Sequence, residues 1–275
     1  MSLASPMVRR NRERQSRPPA PDATVVARAR LKLERHARIW SERPLTRAIY
    51  RDYHELVDAA RSRVKGHDVE VGAGHGSFAE FRPSTIACDV VPCPWLDCAA
   101  DAAGLPFADE SLANVIMIDV LHHLSAPRAF FAGASEALAP GGRIIFIEPY
   151  VSPVSWLAWR FFHEEGIDTS ADPLATEQAA SAFTAYDPWD ANIAIPTLLF
   201  WRHLKRFREL FPEFQVLRRE RFDMLVMPLS GGFERRRWIP RVLVPAARVV
   251  ERGLAPLAAF LAFRCLIVIE KTCQV

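Results

Sequence analysis

The stretch VEVGAGHGSF, residues 69–78, constrains this chain more than any other. Val69 and Val71 flank Glu70 in what reads as a short buried strand, and glycine then recurs at every second position, Gly72, Gly74 and Gly76, with Ala73 and His75 between them. A backbone that lacks Cβ atoms at such spacing turns tightly and lies close to something a side chain would block. If a helix starts near Ser77, its unpaired N–H groups face that neighbour, which suits a carboxylate or phosphate. A tight strand-to-helix turn without a ligand is the alternative.

Spacing narrows the choice. A dinucleotide fingerprint places its third glycine at position 77, where this chain has Ser77, so the pattern is Glu-x-Gly-x-Gly-x-Gly instead. Residues 85–91 form the next apolar strand, with Asp89 near its end; a carboxylate at the carboxyl edge of an open sheet can accept both hydroxyls of a ribose. Residues 113–121 are almost wholly apolar, as in a parallel strand covered on both faces, with Asp119 near their end and His122 and His123 following. A buried acid such as Asp119 needs partners. Residues 127–138 read as a helix closed by Pro140, Gly141 and Gly142, and residues 143–149 as another core strand.

These parts, in this order over residues 68–150, resemble the class I S-adenosylmethionine-dependent methyltransferases, of the small-molecule, methyltransferase-11-like type. The resemblance rests on the glycine loop, on Asp101 to Ser111 (DAAGLPFADES) and on the Leu-x-Pro-Gly-Gly-Arg turn before the strand at 143. It implies an α/β fold: a Rossmann-like, seven-stranded, mostly parallel sheet with an antiparallel edge strand, helices on both faces and a helical insertion after the fifth strand. It also implies S-adenosyl-L-methionine as cofactor. Glu70 would join the network around the methionyl amino group; Gly72, Ala73, Gly74 and Gly76 would pass close to the cofactor; Asp89 would take the ribose; Asp101 and the Ala102 N–H would read the adenine; and Asp119 would stand on the cofactor side of the cleft. Trp95, just after Pro92 and Pro94, either stacks near the adenine or closes the core.

Around this segment the chain divides into a disordered tail (1–22), an amino-terminal helical cover (23–66) and a methyltransferase domain (67–275) with a substrate-lid insertion at 151–210. Pro44 separates two helices in the cover, where Tyr50 and Tyr53 belong to an amphipathic stripe that favours packing over cofactor contact. The insertion is rich in aromatic residues and has polar islands at His163-Glu164-Glu165 and 187–192. A metal held by His163 and the two glutamates is disfavoured, since neighbouring residues on a helix point apart, and no metal is expected. Residues 215–222 and 263–270 read as the last two strands, paired antiparallel.

The function so implied is methyl transfer to a small-molecule or lipid-linked acceptor. The alternatives are an NAD(P)-dependent oxidoreductase and a non-catalytic cofactor-binding protein. An activated sulfonium demands alignment and exclusion of water, and a base only if the acceptor must lose a proton; His122, His123 and His163 are the candidates. The net charge of +3 over 275 residues argues against a nucleic-acid partner. Arginine and tryptophan beside valine and leucine at residues 235–244 suit peripheral contact with an anionic membrane, or a solvated helix face. The five cysteines contain no C-x-x-C pair, so neither a disulfide framework nor a zinc site is expected; a cytoplasmic location fits best, with peripheral attachment at the inner membrane surface left open.

Overall fold

The computed structural model describes residues 23–162, 165–175 and 187–272. The expected tail at 1–22, His163 and Glu164 lie outside the described residues. Seven strands form one sheet: β1 (His67–Val71), β2 (Ile86–Asp89), β3 (Cys98–Ala99), β4 (Leu112–Ile118), β5 (Leu138–Pro149), β6 (Phe214–Phe222) and β7 (Arg264–Lys271), in the order β3-β2-β1-β4-β5-β7-β6. Strands β3 to β5 pair in parallel, and β7 runs antiparallel between β5 and β6. The mostly parallel sheet with its final antiparallel pair is the one expected. The only difference at β5 is its start, five residues earlier than the expected strand, because Leu138 pairs with Leu112 and its carbonyl accepts a hydrogen bond from Lys271 Nζ at 2.8 Å.

The apolar runs of β4 and β5 are buried on both faces, which is why they lack the alternation of a half-exposed strand. Ile116, Ile145 and Ile147 pack under Tyr53, Val57 and Phe78; Val115, Met117 and Phe146 pack on the other side with Phe130, Phe131 and Phe207. Each such side chain removed from water contributes about 1.5–3 kcal/mol. Phe200 and Phe207 belong to the aromatic stretch read as a lid, yet they lie with Phe211 in this second core against Phe131. The aromatic content there serves packing as well as the cleft.

Helices α1 (Ala23–Glu42) and α2 (Pro44–Ala60) break at Pro44, which occupies the first turn of α2, where a missing N–H does no harm. The helix α3 (Ser77–Phe81) follows the glycine loop, and α4 (Pro127–Ala137) and α5 (Pro153–Phe162) flank β5. The stripe of α2 packs on the sheet as its periodicity required. The two tyrosine hydroxyls do more: Tyr50 donates to Asp119 at 2.8 Å, and Tyr53 donates to Asp223.

One expectation is overturned. Cys88 and Cys98 are joined by a disulfide, because β2 and β3 bring these two residues into register as direct partners. Here they meet across a strand pair, which spacing alone does not reveal.

Burial pushes the Asp223 carboxyl up to about 7, against the opposing hydrogen bond from Tyr53. The folded chain therefore keeps a proton that the unfolded chain releases near pH 4. The stabilisation is complete below that value, declines as pH rises and is lost above about 7. In urea titrations the parent is expected to lose on the order of 1 kcal/mol more than Asp223→Asn between pH 5 and 7.5. Equal losses in both proteins would refute this role.

Candidate functional site

At the carboxyl ends of β1, β2 and β4 lies a cleft of 2180 Å³, roofed by Leu33 and His36 of α1, by residues 187–192 and by residues 231–236. The roof is tied down from several directions. Lys32 lies 3.9 Å over the Trp189 ring, His36 stacks on Phe233 at 4.8 Å, and Arg43 donates to the carbonyls of Gly232 and Arg235 at 2.8 and 2.7 Å.

The glycine loop forms the floor. Gly72 sits at φ +74°, and a Cβ there would meet Val120 Cγ2 at 2.3 Å, so the protein itself forbids a side chain. At Gly74 the nearest atom is Leu33 Cδ2 at 3.7 Å, so the space above it is open to the cleft. The loop N–H groups are largely committed: Ala73 donates to the Cys88 carbonyl, Gly74 to Asp89 Oδ2 and Gly76 to the Ala73 carbonyl, at 2.8–2.9 Å. Those loop donors are spent, and α3 is only five residues long, so its dipole adds little to the floor. Trp95 lies outside the floor, more than a third exposed, and donates to the Gly74 carbonyl at 2.9 Å, so it closes neither the core nor the cleft.

Four acids from the sequence reading face the cleft. Glu70 is buried, its Oε2 has no hydrogen-bond partner, and burial followed by the nearby Asp89 holds its carboxyl well above the usual range. Asp89 accepts from the Gly74 and Val91 N–H groups at 2.9 Å; burial raises its pKa and these bonds oppose the rise. Asp101 accepts from the Ala103 N–H at 2.9 Å and so caps the turn that begins at the buried Ala102. Asp119 stands at φ +60° just past β4. Burial pushes its carboxyl up, but the Arg264 guanidinium outweighs that and holds it low, with Tyr50 adding a third donor.

Beyond Asp119 the chain makes a single turn, Leu121–His123, locked by Glu148 from the end of β5. Glu148 is wholly buried and accepts the N–H groups of Val120 and Leu121 at 2.8 and 2.7 Å with one oxygen and His122 Nδ1–H at 2.6 Å with the other. Burial alone would depress His122, yet Glu148 and then Glu165 push it up to about 10. His123 donates from Nδ1 to the Asp190 carbonyl at 3.1 Å, and burial followed by its charged neighbour pulls it down to about 4.

The sequence reading named Asp119, His122 and His123 but missed Arg264, Glu148 and Glu165 as their partners. Two signals were present: Arg264 interrupts an apolar run, and Glu148 ends one, and charges so placed need partners.

Residues 69–146 match the family described as methyltransferase domain. The fold aligns with a SAM-dependent methyltransferase of Thermotoga maritima over 90% of this chain and 100% of that one, at 14% identity and a TM-score of 0.51. It also aligns with a SAM-dependent methyltransferase of Archaeoglobus fulgidus over 82% and 94% of the two chains, at 15% identity and a TM-score of 0.48. No curated protein matches the chain.

Proposed function

We propose that this chain is an S-adenosylmethionine-dependent methyltransferase, a reading supported by the methyltransferase-domain match over residues 69–146, and that its cleft methylates an apolar, lipid-linked acceptor drawn from an anionic membrane surface. The observation that carries this is the continuity of the cleft mouth with an exposed apolar and basic face. Phe162, Trp238, Arg235 and Arg236 line the mouth, and the rings of Phe162 and Trp238 meet at 6.1 Å. Trp156, Leu157 and Phe161 of α5 are exposed in the same helix as Phe162, and Val242 and Leu243 are exposed a few residues beyond Trp238, with Arg237 and Arg241 close by in sequence. Exposed apolar side chains with arginines among them suit a bilayer interface. No helix among the described residues is long and apolar enough to cross a membrane.

The cofactor supplies a methyl group on a sulfonium sulfur, an electrophile that needs no further activation. The residues fit such a group. Glu70 Oε2, a buried acceptor without a partner, would receive the methionyl ammonium directly or through water. Gly72, Ala73, Gly74 and Gly76 would shape the floor, with the open space at Gly74 lying against the cofactor. Asp89 retains lone pairs for ribose hydroxyls, and Asp101 with Ala102 would border the adenine. Asp119, both oxygens engaged by Arg264 and Tyr50, would hold the wall between cofactor and acceptor. What these residues contribute to the reaction is alignment and exclusion of water. Both ring nitrogens of His122 face carboxylate oxygens, at 2.6 and 3.5 Å, so it is a donor on both sides and a poor proton acceptor.

Sedimentation with phosphatidylglycerol vesicles is expected to show salt-sensitive binding that the combined Arg235, Arg236 and Arg237→Ala variant weakens by about 2–3 kcal/mol. Absence of binding at low salt would remove the membrane and leave a soluble small-molecule acceptor. Calorimetry should register S-adenosylhomocysteine and not NADH; the reverse would restore the oxidoreductase alternative.

A further inference from the structure

We infer that His122, His123 and Glu165 form a binding site for one divalent d-block cation at the acceptor end of the cleft. One nitrogen of each ring and one carboxylate oxygen lie within 4.8 Å of one another. The two Glu165 oxygens divide between the rings, with Oε2 3.5 Å from His122 Nε2 and Oε1 4.0 Å from His123 Nε2. Donors about 2.1 Å from a shared ion stand roughly 3.0–3.4 Å apart, so the widest pair needs to close by up to about 1.4–1.8 Å.

The surroundings already hold these side chains in position. Each histidine has its Nδ1 engaged, His122 by the Glu148 carboxylate and His123 by the Asp190 carbonyl, which turns Nε2 of each ring toward the shared site. Glu148 fixes the turn as well, through the Val120 and Leu121 N–H groups. Glu165 comes from a distant segment, but that segment is tied to the same place: Gly166 bridges to Asn192, Ile193 N–H donates to the Gly166 carbonyl at 3.0 Å, and Asn192 N–H donates to the His122 carbonyl at 2.9 Å. Three strands of chain are therefore laced together around the three donors.

Two imidazoles and one carboxylate, without thiolate, suit zinc, iron(II) or manganese rather than calcium or copper(I). On binding, His122 releases the proton from Nε2 and keeps the one on Nδ1, which remains shared with Glu148. Three protein ligands leave coordination positions open, and all three residues line the cleft. An acceptor oxygen could occupy an open position and be oriented and acidified there; this last role rests on the methyltransferase reading, whereas the site itself does not.

The test uses full-length protein dialysed against chelator and titrated with Co²⁺, read by visible ligand-field bands, with Zn²⁺ as competitor. The parent should take up about one equivalent; Glu165→Gln and His123→Gln should each bind at least about 100-fold more weakly, and Glu148→Gln, which removes only the support, about 10- to 100-fold. S-adenosylhomocysteine titrations on the same preparations report whether each variant is folded, and Glu165→Gln should keep the parent's affinity. Failure of the parent to bind Co²⁺, or parent-like binding by Glu165→Gln and His123→Gln, overturns the site. Metal binding without S-adenosylhomocysteine binding would instead uphold the site and defeat the cofactor reading.

Discussion

Gly72→Val is expected to abolish S-adenosylhomocysteine binding and to lower stability by about 3 kcal/mol, the sum of a left-handed backbone forced on a β-branched residue and overpacking against Val120. The basis is geometric: φ is +74°, and even a single Cβ would stand 2.3 Å from Val120 Cγ2 and 2.7 Å from Cγ1. Displacing Val120 disturbs the turn that carries His122 and His123, so the damage spreads along the cleft. Gly74→Ala provides the contrast. Its Cβ meets no protein atom closer than 3.7 Å, so it should lower stability by only about 1 kcal/mol, from its φ of +55°, while weakening cofactor binding much more. Asp89→Ala should weaken the same binding by about 1–3 kcal/mol through lost hydroxyl contacts. Urea melts and calorimetry on the three variants decide the matter. If Gly72→Val is as stable as the parent and binds as tightly, the floor of the cleft has been misassigned.

Arg264→Met should destabilise the chain by about 3 kcal/mol, because it strands the Asp119 carboxylate beside a core strand. The Arg264 side chain is 7% exposed and that of Asp119 25%, so the acid keeps some contact with the cleft, which places the loss near the lower end for a broken buried pair. Burial alone would weaken the Arg264 cation, but Asp119 and then Tyr53 and Tyr50 outweigh it and strengthen its hold on the proton. The combined Arg264→Met and Asp119→Asn variant should recover part of the loss, since no charge is then left unpaired. A single variant within 1 kcal/mol of the parent would show that water already solvates Asp119 well enough.

These expectations separate what was readable from what was not. The strand at 69–71, the glycine turn, the double-sided burial of residues 113–118 and 144–147 and the break at Pro44 all follow from local rules, which need only neighbours along the chain. The order of those parts pointed to the methyltransferase sheet. Yet the three glycines look alike in sequence. Gly72 is pinned by Val120, nearly fifty residues away, while Gly74 is open.

The pairings around the cleft were of this second kind. That Asp119 must have a partner was legible, because a carboxylate beside a parallel core strand is costly to desolvate. That the partners are Arg264 and Tyr50 was decided by β7 slotting beside β5 and by α2 crossing the sheet. Likewise Glu165 was set beside His163 in sequence, whereas the fold carries it to His122 and His123, and Cys88 meets Cys98 only because β2 and β3 pair in that register. Side-chain periodicity records which face of an element is buried; which distant charge, thiol or ring lies opposite that face depends on strand order and loop path, and these are fixed only when the whole core packs.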